Sequence, residues 1–152
     1  MWKWTSAALF YWYYYAIFTG DLPGGSLMLS HPFWGLLTGP WDPPNGSDFT
    51  NAPQPTWPGY QRQEKNFHLN GQRTSPEDWE GWTDPITWTL PPGASPVNLW
   101  GAFYLLNNVN SSGYAMYQFP QTIPLLAPDD SISFAVGFCI GKNGHYLKHR
   151  QL

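Results

Sequence analysis

The chain has 152 residues and a formal net charge of −3, with only 11 % charged residues against 18 % aromatics and ten Trp. Such a composition excludes an intrinsically disordered chain, which needs low hydrophobicity and high charge, and the negative balance argues against a protein whose task is to grip nucleic-acid phosphates. Sixteen Pro and fifteen Gly break the sequence into short elements, as one all-β domain requires and a helical bundle does not. Sparse charge also predicts a largely apolar or aromatic surface, part of it buried against other chains. The single Cys139 can form no disulfide within the chain and reads as a small buried hydrophobe.

In chain order, residues 1–25 read as an aromatic N-terminal arm. Lys3 precedes an apolar run, Ala7 to Phe18, of signal-peptide length. That run is mostly Tyr, Trp and Phe, lacks a small-x-small cleavage pattern, and is short of the ~20 residues a membrane span needs. A short helix or extended arm docked on the body or on a neighbouring subunit is expected, with Trp2, Trp4, Phe10, Tyr11, Trp12 and Tyr14 as its contacts. Leu22-Pro23-Gly24-Gly25 breaks the chain, and the body, residues 26–140, begins with a predicted strand from Ser26 to Phe33. From Gly35 to Pro58 a loop dense in Gly, Pro, Trp, Asp and Asn is expected to be functional or packed on a partner.

Tyr60 to Phe67 is a further expected strand, followed by a polar stretch, Asn70 to Glu80, in which Pro76-Glu77-Asp78 suggests a first helical turn or a β-turn. Ile86, Trp88 and Leu90 alternate with Thr87 and Thr89 as a strand closed by Pro91-Pro92-Gly93. A meander follows: a strand from Val97 to Leu106, a polar turn from Asn107 to Gly113, a strand from Tyr114 to Phe119, an apolar segment from Ile123 to Ala127, and a tight turn at Asp129-Asp130. In the last strand, Ser131 to Phe138, the bulky Ile132, Phe134, Val136 and Phe138 alternate with Ser131, Ser133, Ala135 and Gly137. Residues 141–152 read as a basic tail, with Lys148 and Arg150 either solvated or set against an acidic partner.

Chemistry-bearing motifs are weak. His68, Glu77, Asp78, Glu80 and Asp84 lack metal-ligand spacing and read as an acidic loop; His31 reads as a packed or capping residue. No Gly-x-Ser-x-Gly elbow or phosphate-cradling Gly loop occurs, and no cofactor is implied. Trp34, Trp41, Trp57, Trp79 and Trp82 lie outside the clearest strands. They fit either a platform that stacks on sugars, with Asp42, Asn45 or Asp48 as hydrogen-bond partners, or anchors in protein–protein contacts. Trp100, Phe103, Tyr104 and Leu105 make both faces of their strand apolar, which places it centrally in a sandwich or at a subunit contact.

Val97-Asn98-Leu99-Trp100-Gly101-Ala102-Phe103-Tyr104-Leu105, the Asn/Ser turn, Tyr114 to Phe119, Ile123-Pro124-Leu125 and Asp129 to Phe134 resemble small tailed-phage virion proteins. Upstream, Ser47-Asp48-Phe49-Thr50 and Pro58-Gly59-Tyr60-Gln61-Arg62 resemble the "DFT … GY" segment of the same proteins, in the same order. The resemblance spans roughly Leu27 to Phe138; the aromatic arm and the basic tail depart from it. It implies an antiparallel β-sandwich, jelly-roll-like, that decorates or cements a capsid lattice by binding the major capsid protein, often as a homotrimer. Trp34, Trp41, Trp57, Trp100, Tyr104, Lys148 and Arg150 join the arm aromatics as expected contacts. A tail or fibre module binding host glycan through its Trp residues is the competing expectation.

Overall fold

Short β-branched and aromatic runs separated by Pro and Gly favour pleated, half-buried strands, and that is what forms. The computed structural model of the chain describes residues 2–4, 32–44, 47–75, 78–106, 108–141 and 144–152. Among them, ten strands occur and no α-helix: β1 (Trp2–Trp4), β2 (Phe33–Leu37), β3 (Gln63–Glu64), β4 (Phe67–Ser75), β5 (Asp78–Thr83), β6 (Ile86–Thr89), β7 (Val97–Leu105), β8 (Gly113–Leu125), β9 (Ser131–Gly141) and β10 (Gly144–Gln151). Every pairing is antiparallel. One sheet runs β1-β8-β7-β2-β3; the other runs β10-β9-β5-β4, with β6 also paired to β9. The expected all-β antiparallel sandwich is therefore the fold.

The inner faces of the two sheets meet in the main core. Trp34, Leu36, Leu99, Ala102, Tyr104 and Phe119 from the first sheet pack with Ile86, Trp88, Ile132, Phe134 and Val136 from the second. Phe134 tilts against Trp88 and meets Phe119 edge-on across the gap. In β9, Ile132, Phe134 and Val136 face this core while Ser131 and Ser133 stay at least partly wet, so the period-2 pattern sets the register.

Two irregularities shape the sheets. In the β7–β8 hairpin, Gly101 opposes Gln118 and Leu99 opposes Ile123, so Trp100 alone faces the four residues Phe119 to Thr122. A Cβ on Gly101 would lie 2.4 Å from the Tyr117 carbonyl oxygen, so only glycine permits this close approach. In the other sheet, β5 and β6 lie end to end along β9, interrupted at Asp84-Pro85. There the Val136 N–H donates to the Thr83 hydroxyl at 3.0 Å, so a side chain replaces the missing ladder carbonyl.

Several boundaries differ from the sequence expectation. Most of the polar stretch Asn70 to Glu80 lies in β4 and β5, because ladder hydrogen bonds do not require apolar side chains; of the turn expected at Pro76-Glu77-Asp78, Pro76 and Glu77 lie outside the described residues. The predicted strand Tyr60 to Phe67 is reduced to Gln63–Glu64, with Phe67 opening β4. The stretch read as a basic tail outside the body contains β10, paired with β9 from Gly144 opposite Gly141 to Gln151 opposite Phe134. β2 extends to Leu37, which shortens the long loop. The expected strand residues 26–31, the arm contacts Phe10, Tyr11, Trp12 and Tyr14, and Glu77 lie outside the described residues; Trp2 and Trp4 form β1.

The surface differs too. Among the described residues, the large hydrophobics left exposed are Val109, Leu126 and Leu152. The aromatics whose exposure is described are buried or half-buried, and the described exposed positions are largely Thr, Ser, Asn, Gln and Pro, such as Thr87, Thr89, Asn98, Gln118, Pro120 and Gln121.

Candidate functional site

The outer face of the first sheet is covered by the chain's own long loop. Phe103, Leu105 and Met116 point outward from β7 and β8, and Leu37 from β2; Phe49 closes over them, with Trp41 and Trp100 packed at the margin. This answers the question raised by the two apolar faces of β7: the strand is central, and its second face is buried intramolecularly. The Asp48-Phe49-Thr50 segment is built for this closure. The Asp48 carboxylate accepts the Thr50 N–H at 2.8 Å and the Thr50 hydroxyl at 2.6 Å, a local turn that holds Asp48 below its ordinary carboxylate pKa. Phe49 then donates its N–H to Asn110 O at 2.8 Å and stacks on Phe103 with ring centroids 4.9 Å apart. Gly113 donates to Ser47 O at 2.9 Å; a Cβ on it would lie 2.4 Å from the Phe49 ring.

The segment from Tyr60 to Lys65 carries β3 of the first sheet, leads on to β4 of the second, and collects the polar handles of the core aromatics. Trp34 Nε1 donates to Lys65 O at 2.9 Å, Trp88 Nε1 donates to Gln61 O at 2.9 Å, and the Gln63 side chain donates to Thr87 O. Tyr60 is turned inward, edge-on to Trp57, and its hydroxyl accepts the Leu36 N–H at 2.8 Å. Burial pushes the Tyr60 phenol up to about 12.

Arg62 is the polar centre of this region. Its Nε donates to Gln54 Oε1 at 3.0 Å, Nη1 to Asn108 Oδ1 at 3.2 Å and Nη2 to Asn110 Oδ1 at 2.6 Å, and its Cζ lies 5.3 Å from the Phe103 ring centroid. Three amides thereby tie the long loop to the β7–β8 turn through one cation. Burial pulls the guanidinium below its ordinary pKa. Phe33, Gln54, Tyr60, Gln61, Arg62 and Asn108 line an open groove of about 650 Å³ here.

The expected contact residues fall into different settings. Trp34 is fully buried and stacks on the nearly buried Tyr104 at 4.7 Å, so neither is a contact for a partner; the inward side of β2 and β7 draws them into the core. Trp41, Trp57 and Trp100 are half-buried, packed on the two core clusters. The Trp41 indole N–H is buried with no hydrogen-bond partner. Lys148 stands opposite Gly137 in β10, and the exposed Arg150 places its guanidinium 5.0 Å from the Trp82 ring centroid. No group of three or more His, Cys, Asp and Glu side chains converges among the described residues.

Two features escaped the sequence reading. One is the Arg62 groove, although a signal existed: no Lys or Arg occurs between Lys3 and Arg62. The other is His149, half-buried among the rings of Tyr117, Phe134 and Phe119 at 4.5, 5.6 and 6.2 Å, with its pKa lowered by burial. Nothing local in the His-Tyr-Leu-Lys-His-Arg stretch marks one His as inward.

No family model matches the chain, and no curated protein or solved structure matches it either.

Proposed function

We propose that the chain is a non-enzymatic virion structural protein, a decoration or cement protein that binds the major capsid protein lattice of a tailed bacteriophage. It sits on the capsid surface as a homotrimer, and its sandwich is of the jelly-roll-like kind found in that group. One observation carries this reading: the segments that bear the resemblance are neighbours in space. Asp48-Phe49-Thr50 and Tyr60-Gln61-Arg62 both dock on the β7–β8 hairpin, through the Phe49 and Arg62 contacts to Asn110. The sheets add support, because among the described residues β1, β3, β4 and β10 lie at the sheet ends, the positions from which a sheet can pair with a symmetric neighbour. A protein of this kind binds the assembled lattice and not free shell subunits, so mass action stabilises the assembled state.

The glycan-binding alternative needs indole faces open to solvent. Trp34 and Trp88 are buried, Trp57 meets Tyr60, Trp82 lies beneath Arg150, and Trp41 and Trp100 pack on the outer cluster, so that reading draws no support from them. Co-sedimentation of the purified protein with assembled shells that lack it tests the proposal. Regular high-copy binding that raises the shell's heat resistance is expected. Absence of binding, or a few copies per particle, overturns it, and quenching of Trp fluorescence by sugars would then favour the tail or fibre module.

A further inference from the structure

The Arg62 guanidinium has five N–H donors, and three are used on the neutral amides of Gln54, Asn108 and Asn110. One hydrogen remains on each terminal nitrogen, so the cation keeps donors for a further acceptor, and a carboxylate is the one that adds charge to the hydrogen bond. Among the described residues no carboxylate pairs with this cation, and none lines the groove it floors. The neighbouring Tyr60 hydroxyl is spent only as an acceptor, from the Leu36 N–H, so its own O–H remains to be donated. A half-buried cation held by uncharged partners gains orientation but no neutralisation, and that arrangement leaves it poised for an outside anion.

We infer that the groove floored by Arg62 and Tyr60 is a docking point for a carboxylate side chain, Asp or Glu, presented by a partner protein. A single cation in a chain of net charge −3 is a poor match for a polyanion such as nucleic acid or an anionic lipid surface, which needs several cations in a row. It is a good match for one carboxylate, with the Phe33 and Tyr60 rings and the Gln61 and Asn108 amides available to the peptide around it.

The test is a titration of the full ¹⁵N-labelled chain with N-acetyl-glutamate N-methylamide, its glutamine analogue, and inorganic phosphate, read at the Arg62 Nε–H and at the side-chain amides of Gln54, Asn108 and Asn110. Saturable shifts confined to these groups with the glutamate probe, absent with the glutamine analogue and lost as the probe protonates near pH ~4.3, are expected. Arg62→Lys, which keeps the charge but loses the fork, should weaken the glutamate response at least about tenfold. If that variant does not fold, the glutamate–glutamine contrast in the native chain decides alone. No saturable shift, or an equal response to the glutamine analogue, overturns the inference. Tighter binding of phosphate than of the glutamate probe also overturns it, by making the groove a phosphate site.

Discussion

The ladder between β2 and β3 stops after Trp34 opposite Gln63, and the Leu36 N–H beyond it is met by the Tyr60 hydroxyl instead. Tyr60→Phe keeps the ring and removes that acceptor, leaving a backbone donor of a fully buried residue unpaired. A loss of about 1–3 kcal/mol in urea-melt stability is expected; a change below experimental error would show that the N–H finds another acceptor. His149 gives the second residue-scale prediction. Burial among Tyr117, Phe119 and Phe134 disfavours the imidazolium, so its folded pKa lies below the ordinary 6.5. The unfolded chain therefore binds more protons as pH falls below 6.5, and the stabilising contribution, complete above that pH, is lost as pH drops through the depressed folded value. The midpoint of thermal unfolding should fall in that window, and His149→Phe should flatten the profile. Asp48 and Asp130 act in a separate, more acid window: both carboxyls are held below 3.8 by hydrogen bonds, so their contribution disappears as pH falls below that value.

At the scale of elements, the β8–β9 connection shows how a turn switches the chain between sheets. The Asp130 carboxylate accepts the N–H groups of Leu126 and Ala127 at 2.7 and 2.9 Å. Asp129 and Leu90 are joined by the Asp129 N–H to Leu90 O bond, while Leu90 N–H reaches Asp130 O, so the turn is stitched to the strand end before Pro91. Asp129 itself has φ of 71°, the left-handed region that costs most L-residues free energy and Asp less than most. Asp129→Gly should stabilise by up to ~1 kcal/mol, and Asp129→Val, β-branched, should destabilise by ~1–2 kcal/mol, both read by chemical denaturation. Equal stability of the two variants would mean that the turn relaxes out of this conformation.

For the whole molecule, the two chain ends make unequal contributions. β1 pairs three residues with β8, whereas β10 pairs eight with β9 and carries His149 against the core rings. Deleting residues 1–18 should leave a cooperatively unfolding sandwich that is impaired in oligomerisation or attachment. Truncation after Gly141 should abolish cooperative unfolding, because β9 becomes a bare, apolar edge. Near-UV circular dichroism during a melt distinguishes these outcomes. An N-terminal deletion that fails to fold would place the arm in the core, and a C-terminal truncation that melts as sharply as the full chain would make β10 an accessory strand.

What the sequence determined by itself is the local part: the all-β class from Pro/Gly punctuation, and the strands at Ile86–Thr89 and Val97–Leu105, with β9 as far as Phe138, from alternation or β-rich composition. The turn at Asp129-Asp130 was legible for the same reason, since its backbone demands fall on those residues. Only the tertiary structure decided where the aromatics go and what the polar stretches become. The β4–β5 hairpin and β10 are polar or basic in sequence and become strands because neighbouring strands offer ladder partners, an interaction that local pattern does not encode. Trp34 and Tyr104 look like surface anchors when read one at a time; the sheet faces carry them inward. The Arg62 groove joins Gln54, Tyr60, Arg62 and Asn108; the isolation of Arg62 in the sequence marks the cation, but its partners come together only through the loop and the hairpin turn.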